Sequence, residues 1–290
     1  PRHGQFVQSH GHRSPFPFPF GRVHPFPGYI VNSIPLPPAL EIATLRGLPG
    51  VCHGFFGREG GRSQGIYASN NCGLTAGDDN DAVAANRAAC AARLGLENLI
   101  TVTQRHTPTV EVVTAPWADD GSPIADAMVT ATPGIGLAIQ TADCAPVLFA
   151  DAAAGVVGGA HAGWRGAFDG VLAATVAAMT ALGAKRGNIV AAIGPCIGQA
   201  SYEVGPEFVA RFIARDQSYA RYFANPQASG HHHFDLAGFV AATVKAAGVD
   251  AVTIAGRDTC AEDATYFSYR RNTLQGVTAY GRQISVIGRV

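Results

Sequence analysis

The sequence predicts an α+β domain: a mixed, layered β-sheet core flanked by helices. Three observations carry that expectation. Apolar runs of strand length are interleaved with helix-length stretches, but without the regular alternation of a doubly wound parallel sheet. Two of these runs, Pro146–Phe149 and Gly155–Ala160, are separated by an Asp-Ala-Ala-Ala turn and read as a buried hairpin. Hydrophobic residues make up 47% of the 290, with no visible repeat period, which is ample for one core.

Taken in order, residues 1–38 stand apart. The segment SPFPFPFGRVHPFPG alternates Pro with Phe, and proline blocks both helical and sheet hydrogen bonding, so an extended or disordered arm is expected. The folded domain spans 39–290. From Leu40 to Phe56, short apolar runs broken by Gly47, Pro49, Gly50 and Gly54 read as strands or turns. The loop GREGGRSQGIYASNNCG follows. Its glycines and two arginines let backbone N–H groups and guanidinium forks converge on an anion, although Gly-rich loops more often serve as plain surface. Asp78–Leu94 is alanine-rich, acidic at its start and basic later, as a helix dipole favours. Leu99–Thr103 and Thr109–Thr114 read as strands, the first leading into Gln104, Arg105 and His106. Ala125–Val129 and Gly136–Ile139 approach the hairpin. Helices are expected over Gly170–Leu182, Glu207–Arg215 and Leu236–Ala247, the last capped near Asp235. Strands are expected over Ile189–Ile193, Val252–Ala255 and Arg282–Val290, and the HHHFD run at 231–235 reads as a polar loop.

Charge narrows the function classes. Lys+Arg and Asp+Glu both number 21, so no basic nucleic-acid surface is indicated, and no apolar run reaches bilayer length. The N-terminus lacks the charged-then-apolar order of a signal peptide. Six cysteines without a C-x-x-C pair read as reduced thiols, and the cytoplasm is the expected compartment.

The chemistry concentrates where strands end. Cys144 opens the hairpin and His161 closes it, which brings a thiol and an imidazole to one end of a sheet. Such a pair is a metal site or a nucleophile–base pair. His106, at another strand end, would complete a Cys/His/His set suited to catalytic zinc, though unrelated residues are the commoner case for such spacing. Asp143 can orient a ligand or act as general acid/base, or simply cap a turn. Arg58, Arg62 and Arg165 lie in Gly-rich contexts that let phosphate approach, and Arg62 reads as a surface residue. Three consecutive histidines at 231–233 cannot all face one metal.

The motifs HGFFGREGGRSQGIYASNNCG, TADCAPVLFAD, HAGWRG, IGPCIG with SYEVG, and FSYRR with GRQISVI occur here in order. Over Leu40–Val290 the chain resembles the YfiH-like family, whose older names are multicopper polyphenol oxidase and laccase-domain protein. The resemblance implies a fold like that of deamidating toxins. It implies phosphorolysis of purine nucleosides, methylthioadenosine included, with adenosine deamination at the same site, so the partners are nucleosides and inorganic phosphate. It puts the metal ligands on His106, Cys144 and His161, and a residue needed for activity on Arg58. Four positions depart from the family pattern: Thr107 replaces Gly, Gly57 replaces Thr or Ser, GQASYEVG lacks a cysteine, and Ala261 follows Cys260 where Thr is usual. None removes a ligand. Zinc is preferred to copper, because multicopper oxidases need several centres, whereas residues 40–290 hold three isolated histidines and no His-x-His pair outside the HHH run. A Cys144–His161 hydrolase that needs no metal is the second alternative.

Overall fold

The computed structural model describes residues 36–290, so the Pro/Phe arm falls outside the described residues as far as position 35. In chain order the strands are β1 (Ala39–Leu40), β2 (Val51–Phe56), β3 (Asn98–Ile100), β4 (Val110–Val112), β5 (Ala127–Thr130), β6 (Ile135–Thr141) and β7 (Ala145–Asp151). They continue with β8 (Val156–Ala162), β9 (Val190–Ile193), β10 (Glu203–Val204), β11 (Phe223–Ala224), β12 (His232–Phe234), β13 (Ala251–Ile254) and β14 (Gln283–Arg289). The helices are α1 (Ala43–Arg46), α2 (Asn80–Arg93), α3 (Trp164–Asp169), α4 (Val171–Ala181), α5 (Pro206–Arg215), α6 (Leu236–Ala246) and α7 (Tyr269–Leu274). No described helix is long and apolar enough to cross a membrane.

Two mixed sheets form the centre. One runs β1-β2-β14-β6-β3 and the other β13-β9-β7-β8-β5-β4. Strand periodicity explains how they stack, since successive side chains point to opposite faces. On β7, Leu148 and Ala150 join Phe55, Leu137, Ile139 and Ile287 of the other sheet in a core between the sheets. Val147 and Phe149 point the other way, onto Leu172, Val176 and Met179 of α4 and Val240 and Val244 of α6. Outside the first sheet, Phe56, Ala138, Ile284 and Val286 pack on Cys90 and Ala91 of α2. The result is four layers, helix–sheet–sheet–helix, and it explains why β7 and β8 are buried along their whole length. It is the mixed α+β architecture expected, with both sheet faces covered.

Local chemistry sets the boundaries. Asp79 caps α2 by accepting from Ala82 N, and Asp235 caps α6 by accepting from Gly238 N. At the hairpin turn, Asp151 accepts from Ala154 N at 3.1 Å and from Lys185 N at 2.9 Å, and Gly155 takes φ 62°. The HHHFD run is not a loop. It supplies β12, the central strand of a third small sheet, β10-β12-β11. Phe234 explains the difference: it is fully buried against Phe208, Phe212 and Phe223, so packing overrides the polar neighbours.

Candidate active site

The hairpin register pairs Ala145 with Ala162 and Pro146 with His161, so Cys144, just before β7, stands beside His161 near the end of β8. His106 arrives from the loop after β3 with a left-handed backbone, φ 61°. That loop is pinned by Gln104, whose side-chain amide imitates a strand neighbour. Its Nε2 donates to Gln140 O at 2.8 Å and its Oε1 accepts from Gln140 N at 3.0 Å, tying the loop to β6. The ligand atoms of His106, Cys144 and His161 lie within 4.8 Å of one another, with Cys144 Sγ 3.6 Å from His106 Nε2.

Asp126 organises this group. It precedes β5 and is completely buried. One carboxylate oxygen accepts from His161 Nδ1 at 2.7 Å. The other accepts from Arg105 N at 3.0 Å, Thr107 N at 2.6 Å and Thr107 Oγ1 at 3.0 Å. A single carboxylate therefore orients one imidazole and clamps the residues on both sides of the other. Thr107, one of the departures from the family pattern, contributes two of those donors. Burial would raise the Asp126 pKa, but the hydrogen bonds from His161, Thr107 and Arg105 outweigh it and hold the pKa well below the ordinary carboxylate range. An ionised Asp126 only accepts, so His161 carries a proton on Nδ1 and turns Nε2 toward Cys144. Burial opposes a charge on this ring, but the Cys144 thiolate and the hydrogen bonds to Asp126 and Cys144 raise the His161 pKa to about 9, so Nε2 is protonated as well and a bound metal would take the place of that proton.

These residues suit a metal. Zinc bond lengths to sulfur and nitrogen imply ligand–ligand separations of roughly 3.3–3.6 Å; the His106–Cys144 pair at 3.6 Å already has this spacing, and the rest of the group, spread over up to 4.8 Å, would close around the ion. The thiol is poised to ionise: burial opposes it, but the charge of His161 and hydrogen bonds from both imidazoles lower its pKa to about 6. Gly163 leaves the space. A Cβ there would stand 2.6 Å from His106 Cδ2, 2.8 Å from His106 Nε2 and 2.9 Å from Cys144 Sγ. Gly163→Ala is therefore expected to weaken metal binding about 10- to 100-fold, as when the groups that orient the ligands are disturbed, with the fold intact. Chelator competition and a melting curve check this; wild-type metal affinity in the variant would show that a methyl group is accommodated.

Two lobes open from the group and share His106, Ala142, Cys144 and Tyr280. One, of about 420 Å³, has aromatic walls in Trp164, Tyr202, Tyr269 and Tyr280. The other, of about 260 Å³, is lined by polar side chains that include Gln104, Arg105, Thr141 and Arg282.

The remaining sequence candidates sit around these lobes. Asp143 borders the aromatic lobe with φ 86°. Its carboxylate accepts from Thr259 Oγ1 at 2.7 Å, Ser268 Oγ at 3.0 Å and Arg270 N at 2.6 Å. Burial raises its pKa against those bonds. Arg165 is exposed, its guanidinium 5.3 Å from the Trp164 ring centroid. Arg58 donates to Ala68 O at 2.9 Å, pairs with Asp263 at 2.9 Å and lies over the Phe267 ring at 4.7 Å. Neither Arg58 nor Arg165 lines either lobe. The three consecutive histidines diverge, His231 to Ser229, His232 to Gly230 O and His233 to Asn225. Sequence reasoning passed over Asp126, Gln104, Thr141 and Arg282. The signal for Asp126 was there: a lone carboxylate opening the apolar run Ala125–Val129 needs partners.

Residues 52–290 match the family described as multi-copper polyphenol oxidoreductase laccase. The chain belongs to this family, the YfiH-like laccase-domain proteins. A relative from Deinococcus radiodurans, named purine nucleoside phosphorylase, is 41% identical over 254 residues, 84% of this chain and 94% of that one. Another of that name from Streptomyces coelicolor is 40% identical over 231 residues, covering 78% and 93%. Among solved structures, a Neisseria meningitidis DUF152 protein superposes with TM-score 0.75 at 36% identity, covering 83% of this chain and 95% of that one. Bacillus licheniformis YfiH gives 0.75 at 29%, covering 83% and 93%. Among the described residues, His106, Cys144 and His161 form the single His/Cys/Asp/Glu group that can hold a metal ion.

Proposed function

We propose that this protein is a zinc-dependent purine nucleoside phosphorylase, acting on adenosine, inosine, guanosine and methylthioadenosine, that also deaminates adenosine at the same site. The observation that carries this is the His106–Cys144–His161 group at the junction of an aromatic and a polar lobe. The names of the relatives support the substrate class. Zinc held by the thiolate and two imidazoles would supply Lewis acidity and a water of lowered pKa. Six free thiols fit a reducing cytoplasm.

The chain's own residues do the rest. Tyr202, Trp164, Tyr269 and Tyr280 offer ring faces and edges to a purine. Phosphate must be fixed on the ribose face opposite the departing base, where positive charge grows at the glycosidic carbon. Asp126 stays ionised and keeps the His161 proton on Nδ1 throughout. Asp143 holds the turn before Cys144 against the N-terminus of α7, which carries Tyr269 and Arg270 to the lobe. Arg58 braces the Gly-rich loop against Asp263, and Arg165 lies beside the aromatic wall.

One observation favours a second reading, a metal-free cysteine hydrolase: Asp126, His161 and Cys144 line up as acid, base and nucleophile. That reading leaves His106 without a task. Chromatography of a nucleoside panel with and without phosphate separates the possibilities. Phosphate-dependent release of free base is expected. Glutamine deamidation by the metal-stripped protein, or phenol oxidation with bound copper, would replace this assignment.

A further inference from the structure

We propose that the polar lobe is the inorganic-phosphate subsite of the reaction, gripped by Arg282 and Arg105 and completed by the Thr141 hydroxyl. This rests on the phosphorylase reading above and names which residues take the second substrate. The lobe is bounded by His106, Cys144 and His161, so an anion held there stands next to the reacting centre.

The charge pattern points to an anion. Many arginines near the site are committed: Arg58 and Arg271 to Asp263, Arg87 to Asp119. Among the described residues, Arg105 and Arg282 have no carboxylate partner. The Arg282 guanidinium makes two long neutral hydrogen bonds, 3.4 Å to Thr75 Oγ1 and 3.4 Å to Tyr280 OH, and lies 5.1 Å from the Tyr280 ring centroid, while its main chain is held firmly. Its N donates to Asn71 Oδ1 at 2.8 Å and its carbonyl accepts from Cys72 N at 2.9 Å. The Arg105 main chain is fixed in the same way by Asp126. Two guanidinium groups on fixed main chain, facing one lobe, are a fork-shaped donor set suited to phosphate oxygens. The one carboxylate in the lobe, Asp119, is already bound by Arg87 at 3.3 Å and Thr101 Oγ1 at 2.9 Å, so it does not cancel them.

An independent observation marks the same lobe. Thr141 lines it, is 1% exposed, and its Oγ1 has no hydrogen-bond partner among the described residues. A buried hydroxyl without a partner is costly, and a ligand oxygen would satisfy it. Thr141 ends β6, three residues before Cys144, so its position is as rigid as the metal group's.

The test uses the zinc-loaded full chain. Calorimetry gives the Kd for inorganic phosphate, and steady-state phosphorolysis of inosine gives KM for each substrate. Arg282→Ala is expected to raise the phosphate Kd and KM about 10- to 100-fold, the loss of one or two charge-assisted bonds. Arg282→Lys should recover part of the loss, while zinc content and the KM for inosine stay near wild type. Arg58→Ala should move the phosphate Kd less than Arg282→Ala does; the reverse order would overturn the assignment. If Arg282→Ala does not fold, Arg105→Ala carries the test, because that side chain is exposed and bonds to no described residue. Unchanged phosphate binding in both variants overturns the subsite. AMP binding that depends on Arg282 while inorganic phosphate does not bind overturns it too, in favour of a nucleotide phosphate. Arg282-dependent phosphate binding without phosphate-dependent base release would leave the anion site standing and remove the phosphorylase reading.

Discussion

Cys144→Ala is expected to lose tightly bound zinc and, with it, phosphorolysis. Cys144 is the one soft ligand in the group, its thiol pKa is lowered to about 6, and both imidazoles face it. Zinc affinity of small structural sites totals about 10–16 kcal/mol, so one ligand in three or four is worth roughly 3 kcal/mol or more, a loss on the order of 100-fold or greater. The fold should survive, because Cys144 lies at a strand end with part of its surface exposed. Elemental analysis after dialysis against a weak chelator checks this. As much zinc in the variant as in wild type would mean that the ligands are assigned wrongly.

Asp126→Asn should come next in size, although Asp126 touches no metal. The amide can replace only one of the two acceptor edges. If its Nδ2 faces His161, the imidazole must accept at Nδ1 and carry its proton on Nε2, which removes the lone pair aimed at the metal group. If it faces Thr107 instead, two N–H donors and a hydroxyl lose their acceptor. Either way zinc affinity should fall about 10- to 100-fold. The wild-type carboxylate also predicts a pH dependence. Its folded pKa is depressed, so its contribution is fully present above the unfolded value of about 3.9 and is lost as pH falls through the lower folded value. Asp126→Asn should therefore flatten the acid limb of a stability–pH curve below about pH 4. An Asn variant with wild-type zinc affinity and an unchanged acid limb would remove Asp126 from this role.

Much of the fold was legible because strand and helix periodicities are strong here. The hairpin that joins Cys144 to His161 follows from two apolar runs and a short turn, and the caps at Asp79 and Asp235 from their residue types. The second sheet layer was not legible: which face of Val147–Ala150 meets helices and which meets the other sheet depends on strands far along the chain, β2 about 90 residues before β7 and β14 about 130 after it. The same limit applies at the site. His106 could be suspected from its strand-end position, but the clamp on its loop comes from Asp126 and Gln140, far along the sequence. Arg58 stood out for its Gly-rich setting, yet its partner Asp263 is 205 residues further on, and that pairing takes up part of its charge. Arg282 opened the expected terminal strand and lay in the GRQISVI motif, yet an arginine there looks like surface until a lobe is built around it.

In the proposed reaction one zinc, held by His106, Cys144 and His161, supports phosphorolysis at that site. Titrating zinc into metal-stripped protein, with inosine and phosphate present, tests it most directly. Release of hypoxanthine should rise with added zinc and level off at about one ion per chain, and it should stay absent in Cys144→Ala at the same zinc concentration. Full phosphorolysis by the stripped protein, or recovery only with copper, would contradict it.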